Sequence, residues 1–251
     1  MKNKLGIKEY SSLNEKDARK VLHKLYSSNP IPNDQVLSNI ALFLEPKNLS
    51  RILFMDYLYK KSLNTQGVVM EFGTRWGQNS ILFSALRGIY EPFNRHRKII
   101  AFDTFDGFPS ISKKDGKSNL MQKGQLKTTK NYSEYLEKLF IIHEKLSPLS
   151  HIKKYQICKG NAVNELKKYI SKNKETIISL AYFDFDIYEP TKKCLELIAP
   201  RLTKGSVIGF DELNDPDSPG ETLALMEIFD LNKIRLRKYK FTSRVSYFVV
   251  Q

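Results

Sequence analysis

Five short apolar segments, each followed by a stretch with helical spacing, constrain the fold of this chain more than any other feature. The segments lie at 68–72, 98–103, 156–160, 177–183 and 206–210 and have the length of buried strands. The helical stretches follow at 80–90, 132–146, 162–170, 191–198 and 222–229. Strands that alternate with helices predict an α/β fold with a doubly wound, mostly parallel sheet.

Three regions depart from this alternation. Residues 1–65 contain three helical patterns and no strand signal, which predicts a helical N-terminal cap on a domain at 66–251. Two strand-like runs at 234–241 and 245–250 predict an antiparallel hairpin that brings the sheet to seven strands. A lysine-rich insert at about 110–150 interrupts the alternation, and we expect it to form a mobile lid.

Composition excludes several classes of protein. The chain has 251 residues, of which 41% are hydrophobic, enough to form a core. No apolar run approaches the roughly 20 residues of a membrane-spanning helix, and no apolar segment follows the basic N-terminus as in a secretory signal. The two cysteines are far apart, which excludes a disulfide framework or a cysteine-rich zinc site and favours a cytoplasmic protein.

Positive charge is concentrated in two stretches of a chain whose net charge is +14. Residues 110–174 contain fifteen lysines and five acids, and residues 233–244 contain six cations and no acid. Such stretches are either solvated faces of a lysine-rich protein or a surface that attracts a phosphorylated or otherwise anionic partner. The sequence leaves both interpretations open.

The first turn of the alternating region reads Glu71-Phe72-Gly73-Thr74-Arg75-Trp76-Gly77. Its glycines allow the backbone to approach a ligand closely. The turn lacks the middle glycine of the dinucleotide-binding fingerprint and the lysine of a P-loop. An acid before the turn suits a ligand with cationic or hydroxyl groups, although an ordinary strand-to-helix turn explains the same pattern.

Acidic residues end four of the predicted strands, at Glu71, Asp103, Asp184 and Asp211. The carboxyl ends of parallel strands share one edge of a sheet, where ligands bind, and an acid at the position of Asp103 can accept the ribose hydroxyls of a nucleoside. Carboxylates gathered at such an edge repel one another unless protons or a cation compensate. Oxygen ligands suit Mg²⁺, Ca²⁺ or Mn²⁺. The alternative is a set of separate, solvated turn acids.

From residue 67 to about residue 225 the chain resembles the class I S-adenosylmethionine-dependent O-methyltransferases. Within them it is most similar to the macrocin, mycinamicin and novobiocin sugar O-methyltransferases. The matching segments are 71–77, 103–109, 184–191 and 211–212, and their combination and order are more specific than any one of them. The resemblance implies a Rossmann-like sheet, with 66–251 as the methyltransferase domain.

The resemblance also implies which residues bind S-adenosylmethionine. They are Glu71, Gly73, Thr74, Gly77, Asp103, Thr104, Phe105, Asn161, Ala162 and Asp184. The first turn would line the methionine part, Asp103 would hold the ribose, and Thr104 with Phe105 would flank the adenosine. Asn161 and Ala162 would lie near the adenine edge.

A divalent metal site is implied as well, with Mg²⁺ or another divalent cation held by Asp184, Asp211 and Glu212. Asp184 is the candidate catalytic base. The family usually has two aspartates where this chain has Asp211 and Glu212, and catechol-type relatives have a lysine where this chain has Ile187. The four histidines lie at other places in the chain: His23, His96, His143 and His151.

The implied reaction is methyl transfer to a hydroxyl of a sugar, an activated sugar or a similar small polar acceptor. The lysines of the insert would meet phosphate or nucleotide groups of that acceptor.

Two alternatives stay open. The charge favours a nucleic-acid methyltransferase, but the 184–187 segment is not the Asn/Asp-Pro-Pro-aromatic signature of amino-group methylation, so nucleic acid is not the expected partner. A non-catalytic binding module would keep the fold. The sequence leaves the oligomeric state open between a monomer and a homo-oligomer.

Overall fold

The computed structural model describes residues 10–251, so the basic N-terminus and the first part of the predicted cap lie outside the described residues. Eight elements cover the first two thirds of the chain: α1 (Leu13–Ser27), α2 (Pro46–Ser62), β1 (Val68–Phe72), α3 (Gln78–Tyr90), β2 (Ile99–Asp103), α4 (Tyr132–Lys145), β3 (Tyr155–Lys159) and α5 (Ala162–Lys172). Six follow: β4 (Ile178–Phe183), α6 (Tyr188–Ile198), β5 (Leu202–Phe210), α7 (Gly220–Ile228), β6 (Arg237–Lys238) and β7 (Ser246–Val249). Short 3₁₀ helices lie at Leu37–Phe43, Lys113–Asp115 and Ala199–Arg201.

The strands form one seven-stranded sheet in the order β3-β2-β1-β4-β5-β7-β6. Strands β1 to β5 are parallel, whereas β7 is antiparallel to both β5 and β6. This confirms the predicted doubly wound, mostly parallel sheet with an antiparallel C-terminal hairpin. Within residues 10–251, no helix combines the length and the apolar character needed to cross a lipid bilayer.

A row of four phenylalanines brings four strands to the same level at the carboxyl edge of the sheet. Phe72 of β1 lies beside Phe102 and Phe183, and Phe183 lies beside Phe210. Neighbouring rings in this row stack with centroids 4.6 to 5.4 Å apart. Because the strands end in register, the residues that follow them emerge at one rim.

Two apolar cores cover the two faces of the sheet. Helices α5, α6 and α7 contribute to one core, and α2, α3 and α4 contribute to the other. Phe54, Met55, Leu58 and Tyr59 of α2 are fully buried. Each such side chain contributes about 1.5–3 kcal/mol on burial, so α2 is a fixed part of the helical layer, although it lies within the segment predicted as a cap.

The segment 110–150 has two structurally different parts. Its C-terminal part is α4, whose buried Leu136 and Phe140 pack into the core with α3 and β3. The irregular part before α4 is anchored at Asp115, whose carboxylate accepts hydrogen bonds from the backbone N–H groups of Tyr188 (2.6 Å) and Ser112 (2.5 Å). Any lid is therefore confined to the residues before α4, and its motion stays a prediction.

Strand β6 is much shorter than the predicted 234–241 strand. Only Arg237 and Lys238 pair with β7, and Tyr239 then turns its ring into the core beside Phe54. Charged residues on the last strand of a sheet are typical of edges that do not extend by further pairing. The predicted strand is wrong outside 237–238, because Ile234 and Tyr239 pack against the two cores while Leu236 and Phe241 are exposed.

Candidate functional site

Two predicted metal ligands emerge side by side at the carboxyl ends of β4 and β5. The backbone N–H of Asp184 donates to the carbonyl of Phe72 (2.8 Å), and that of Asp211 donates to the carbonyl of Phe183 (2.9 Å). These bonds extend the sheet pairing past the strand ends. The two carboxylates consequently lie close to each other at the rim.

Arg51 of α2 bridges these two carboxylates. Its Nη1 lies 3.3 Å from Oδ2 of Asp184, and its Nη2 lies 2.5 Å from Oδ1 of Asp211. The hydroxyl of Tyr182 donates to the same Oδ1 of Asp211 (2.8 Å). Burial, followed by the charge of Asp211, raises the pKa of Asp184 well above its ordinary value, and the Arg51 guanidinium opposes that rise.

Arg244, in the loop between β6 and β7, compensates the other side of the acidic rim. Its guanidinium pairs with Oε1 of Glu212 and lies 3.7 Å from Oδ2 of Asp211 and 3.5 Å from Asp215. The second oxygen of Glu212, Oε2, is buried and has no hydrogen-bond partner within the described part of the chain.

Glu221, in the first turn of α7, joins the loops that carry the acids. Its Oε1 accepts from the backbone N–H groups of Phe185 (2.9 Å) and Asp186 (3.2 Å), and its Oε2 accepts from that of Glu212 (3.3 Å). Asp186 has φ +60°, a conformation that costs free energy and needs such support. Burial raises the pKa of Glu221, and it raises that of Asp186 to about 8.

The turn after β1 is shaped by Glu71 and by two glycines. Glu71 is buried and accepts hydrogen bonds from the hydroxyls of Thr74 (2.6 Å) and Ser80. Gly73 has φ +92°, and a Cβ there would collide with the backbone oxygen of Asp184. At Gly77 (φ +77°) a Cβ would collide with the Leu136 side chain of α4. The side chains of Glu71 and Thr74 hold the turn, and its backbone faces the rim.

Asp103 connects this turn to the one after β2. Its Oδ2 accepts from the backbone N–H of Arg75 (2.8 Å), and its Oδ1 accepts from that of Phe105 (2.5 Å). Arg75 and Phe105 both have positive φ values, +45° and +59°, and the shared carboxylate stabilises these strained conformations. Burial raises the pKa of Asp103, while the two N–H groups lower it.

The remaining candidates lie at the neighbouring strand ends. Thr104 donates its hydroxyl to the carbonyl of Gly107 (2.7 Å), which shapes the turn after β2. Asn161 caps α5 by accepting from the N–H of Asn164 (3.2 Å), and Ala162 is buried behind it. The carbonyl of Asp103 accepts from the N–H of Gly160 (2.8 Å), which ties this end of the rim together.

All predicted site residues therefore lie along one edge of the sheet. The cofactor candidates other than Asp184 follow β1, β2 and β3, and Asp184 lies with the other metal candidates after β4 and β5. Their roles stay predictions. Three charged residues that pair with the acids or hold their loops were not predicted from the sequence: Arg51, Arg244 and Glu221. Only Glu221 had a usable signal, since it is an acid that directly precedes the predicted helix at 222–229. The arginines reach the rim from distant segments without a motif.

Comparisons with solved structures include two matches that exceed 30% identity and span nearly the whole chain. The crystal structure of CalS11, calicheamicin methyltransferase, has a TM-score of 0.93 and 37% identity, covering 96% of this chain and 94% of that chain. The apo structure of CalS11, described as a TDP-rhamnose 3'-O-methyltransferase of calicheamicin biosynthesis, has a TM-score of 0.85 and 35% identity, covering 96% of both chains.

A more distant structure shares the fold alone. The O-methyltransferase NovP has a TM-score of 0.57 and 17% identity, covering 80% of this chain and 79% of its own. No protein-family model and no curated protein matches the chain. The family assignment therefore rests on the two matches above 30% identity.

Proposed function

Because the chain belongs to the class I S-adenosylmethionine-dependent sugar O-methyltransferases, we propose that it methylates a hydroxyl of a nucleotide-linked sugar. The observation that carries this proposal is the acidic rim, at which Asp103 and the turn after β1 adjoin the carboxylates of Asp184 and Asp211. The description of CalS11 as acting on TDP-rhamnose supports a sugar that carries a nucleoside diphosphate.

Arg75 supports the placement of the cofactor. Its Nε is buried and has no hydrogen-bond partner among residues 10–251. A buried donor without a partner costs about 1–3 kcal/mol, and a carboxylate ligand would remove that cost. Arg75 lies in the turn that approaches Asp103, so we propose that it binds the methionine carboxylate while Asp103 binds the ribose.

The rim also suits a divalent cation. Its donors are all carboxylate oxygens, the set that Mg²⁺ prefers, and Glu212 presents a buried oxygen without a partner among the described residues. In residues 10–251 no group of three His, Cys, Asp or Glu side chains is arranged to hold a metal, and Arg51 and Arg244 pair with the acids in question. We propose that Asp184, Asp211 and Glu212 would hold the ion after these side chains rearrange.

The chain's own residues would then serve alignment and proton transfer. When bound, the cation would lower the pKa of the acceptor hydroxyl, and the sulfonium of the cofactor would supply an activated methyl group. The turn after β1, Asp103 and Arg75 orient the cofactor, and alignment of this kind contributes roughly 7–11 kcal/mol. Asp184 accepts the hydroxyl proton.

Methyl transfer to a panel of acceptors tests the proposal. The protein is incubated with S-adenosylmethionine and, separately, sugar nucleotides, free sugars and RNA, with Mg²⁺ or with a chelator, and products are read by mass spectrometry. We expect one or more sugar nucleotides to gain a methyl group only with Mg²⁺. Methylation of RNA alone would favour the nucleic-acid alternative, and no methylation together with no cofactor binding would favour a binding module.

Asp103→Ala is expected to weaken S-adenosylmethionine binding at least about tenfold, because charge-assisted hydrogen bonds contribute about 1.5–3 kcal/mol each. Part of that loss arises through the turns at Arg75 and Phe105, which the carboxylate also holds. Isothermal titration calorimetry measures the change, with the exposed Asp106→Ala as the matched control. Unchanged affinity in the Asp103 variant would remove this residue from the cofactor site.

A homo-oligomer remains our proposal for the assembled state. None of the fifteen residues of α1 is buried, and Leu13, Val21 and Leu25 on it are exposed. Helices of this length are marginal in water without packing, so a second copy is expected to cover the apolar side of α1. Light scattering of wild type and of Leu25→Glu should show loss of the oligomer in the variant. A monomeric wild-type protein would contradict the proposal.

We also propose a cytoplasmic location. Cys158 and Cys194 are buried and are not joined by a disulfide, as expected in a reducing compartment. Cell fractionation should recover the methyltransferase with soluble cytoplasmic markers. Recovery in the medium or in the membrane pellet would contradict this assignment.

A further inference from the structure

Arg51 occupies the carboxylate oxygens that the proposed cation would need. Its guanidinium lies 3.3 Å from Oδ2 of Asp184 and 2.5 Å from Oδ1 of Asp211, and only 6% of the Asp211 side chain is exposed. A guanidinium and a divalent ion cannot share these oxygens without strong repulsion. The two cations are therefore alternatives at one place.

The acids at the rim need a compensating cation or bound protons. Five acidic side chains meet at this edge of the sheet: Asp184, Asp186, Asp211, Glu212 and Glu221. Partly buried like charges are unfavourable unless a cation is present or protons are taken up. Arg51 and Arg244 supply that charge in the structure, and among residues 10–251 only Arg51 forms ion pairs with the acids of both β4 and β5.

The position of Arg51 in α2 allows its side chain, but not its backbone, to move. Phe54, Met55 and Leu58 hold the helix against the sheet with no exposed surface. The Arg51 side chain is itself about a third exposed, at 31%, and several rotatable bonds separate its guanidinium from the backbone. The guanidinium can therefore leave the rim toward solvent while α2 stays in place.

We propose that Arg51 is an exchangeable counter-cation, which pairs with Asp184 and Asp211 in the cation-free protein and leaves them when a divalent ion binds. This inference rests on the proposed cation site. It assigns Arg51 a positioning role, because the arginine keeps both carboxylates together in the cation-free protein. It also makes the cation affinity of the protein the result of a competition.

Mn²⁺ binding in the absence of cofactor and acceptor tests this role without any activity measurement. Free Mn²⁺ is quantified by electron paramagnetic resonance in titrations of wild type and Arg51→Gln. Lys47→Gln removes the same charge one helical turn earlier, at an exposed position, and controls for long-range electrostatics. Asp211→Asn removes one proposed ligand, so the Mn²⁺ binding that this variant loses is binding at the rim. Arg51→Lys keeps the charge but cannot bridge both acids with two nitrogens.

We expect Arg51→Gln to bind Mn²⁺ at least about tenfold more tightly than wild type, as loss of a charge-assisted competitor implies. Lys47→Gln should change the affinity much less, Arg51→Lys should be intermediate, and Asp211→Asn should lose the site. Arg51→Gln should also melt at a lower temperature without the ion and gain more stability from Mg²⁺ than wild type does.

Three results would overturn the inference, and they separate it from the cation site. If Arg51→Gln and wild type bind Mn²⁺ equally and Asp211→Asn does not bind, the cation site stands and the exchange is wrong. The same holds if Arg51→Gln binds more weakly, since Arg51 would then assist the ion. If wild type and Arg51→Gln both fail to bind Mn²⁺, the cation site and the exchange are both wrong, while methyl transfer is judged by its own assay.

Discussion

Asp184→Asn should reduce turnover by at least about 100- to 10,000-fold, the range in which general bases contribute. The asparagine keeps the shape and the backbone pairing of the residue with Phe72, but it can neither accept the acceptor proton as a carboxylate does nor pair with a cation. The affinity for S-adenosylmethionine should stay within a few-fold, because the Asp103 side of the rim is unchanged.

Steady-state methyl transfer and calorimetry together measure this separation. Asp230→Asn is the matched control, since it makes the same chemical change on an exposed acid far from the rim, which pairs with Lys233 at 3.7 Å and accepts from the backbone N–H of Asn232 at 3.0 Å. Turnover of Asp184→Asn close to that of the control would remove Asp184 from the chemistry. A parallel collapse of cofactor affinity would indicate that it acts mainly in binding.

The largest effect on stability is expected from Glu144→Ala. Glu144 in α4 pairs with Arg87 of α3 (2.5 Å) and with Lys154 before β3 (2.6 Å), and none of the three side chains is more than 5% exposed. Removing the carboxylate leaves two cations in the interior. The loss should be about 3–5 kcal/mol, as for other broken buried ion pairs, or roughly 6–20 °C in melting temperature for a chain of this size.

Thermal and urea unfolding measure this loss. Glu134→Ala, at an exposed position of the same helix, should change stability by less than about 0.5 kcal/mol. A loss below about 1 kcal/mol for Glu144→Ala would mean that water reaches the two cations. The network also fixes α4 in the helical layer, so the variant should loosen the irregular segment that leads into α4.

The strands and the rim could be predicted because each depends on a local pattern. Strands buried on both faces read as short apolar runs, and the five parallel strands lie within four residues of the predicted bounds at every end. The acids at strand ends were recognisable because a parallel topology brings carboxyl ends together whatever the sequence between them. The same reasoning placed Asp103, Asp184 and Asp211 at one edge.

The charges that compensate the acids could not be predicted, because they depend on tertiary packing. Arg51 is 133 residues from Asp184 in the sequence, and Arg244 reaches Glu212 from the β6–β7 loop. Nothing in their local sequence distinguishes them from solvated arginines. The helix at 132–146 was predicted, but its place in the core was not, since the burial of Leu136 and Phe140 depends on which surface α4 meets.

A crystal structure with S-adenosylhomocysteine and Mn²⁺, with the ion located by anomalous scattering, would examine the rim at the level of atoms. The nucleoside ribose is expected on Asp103, and the anomalous peak is expected among Asp184, Asp211 and Glu212, with the Arg51 guanidinium displaced from them. A nucleoside bound away from Asp103, or a manganese peak outside the reach of these three carboxylates, would contradict the proposed arrangement.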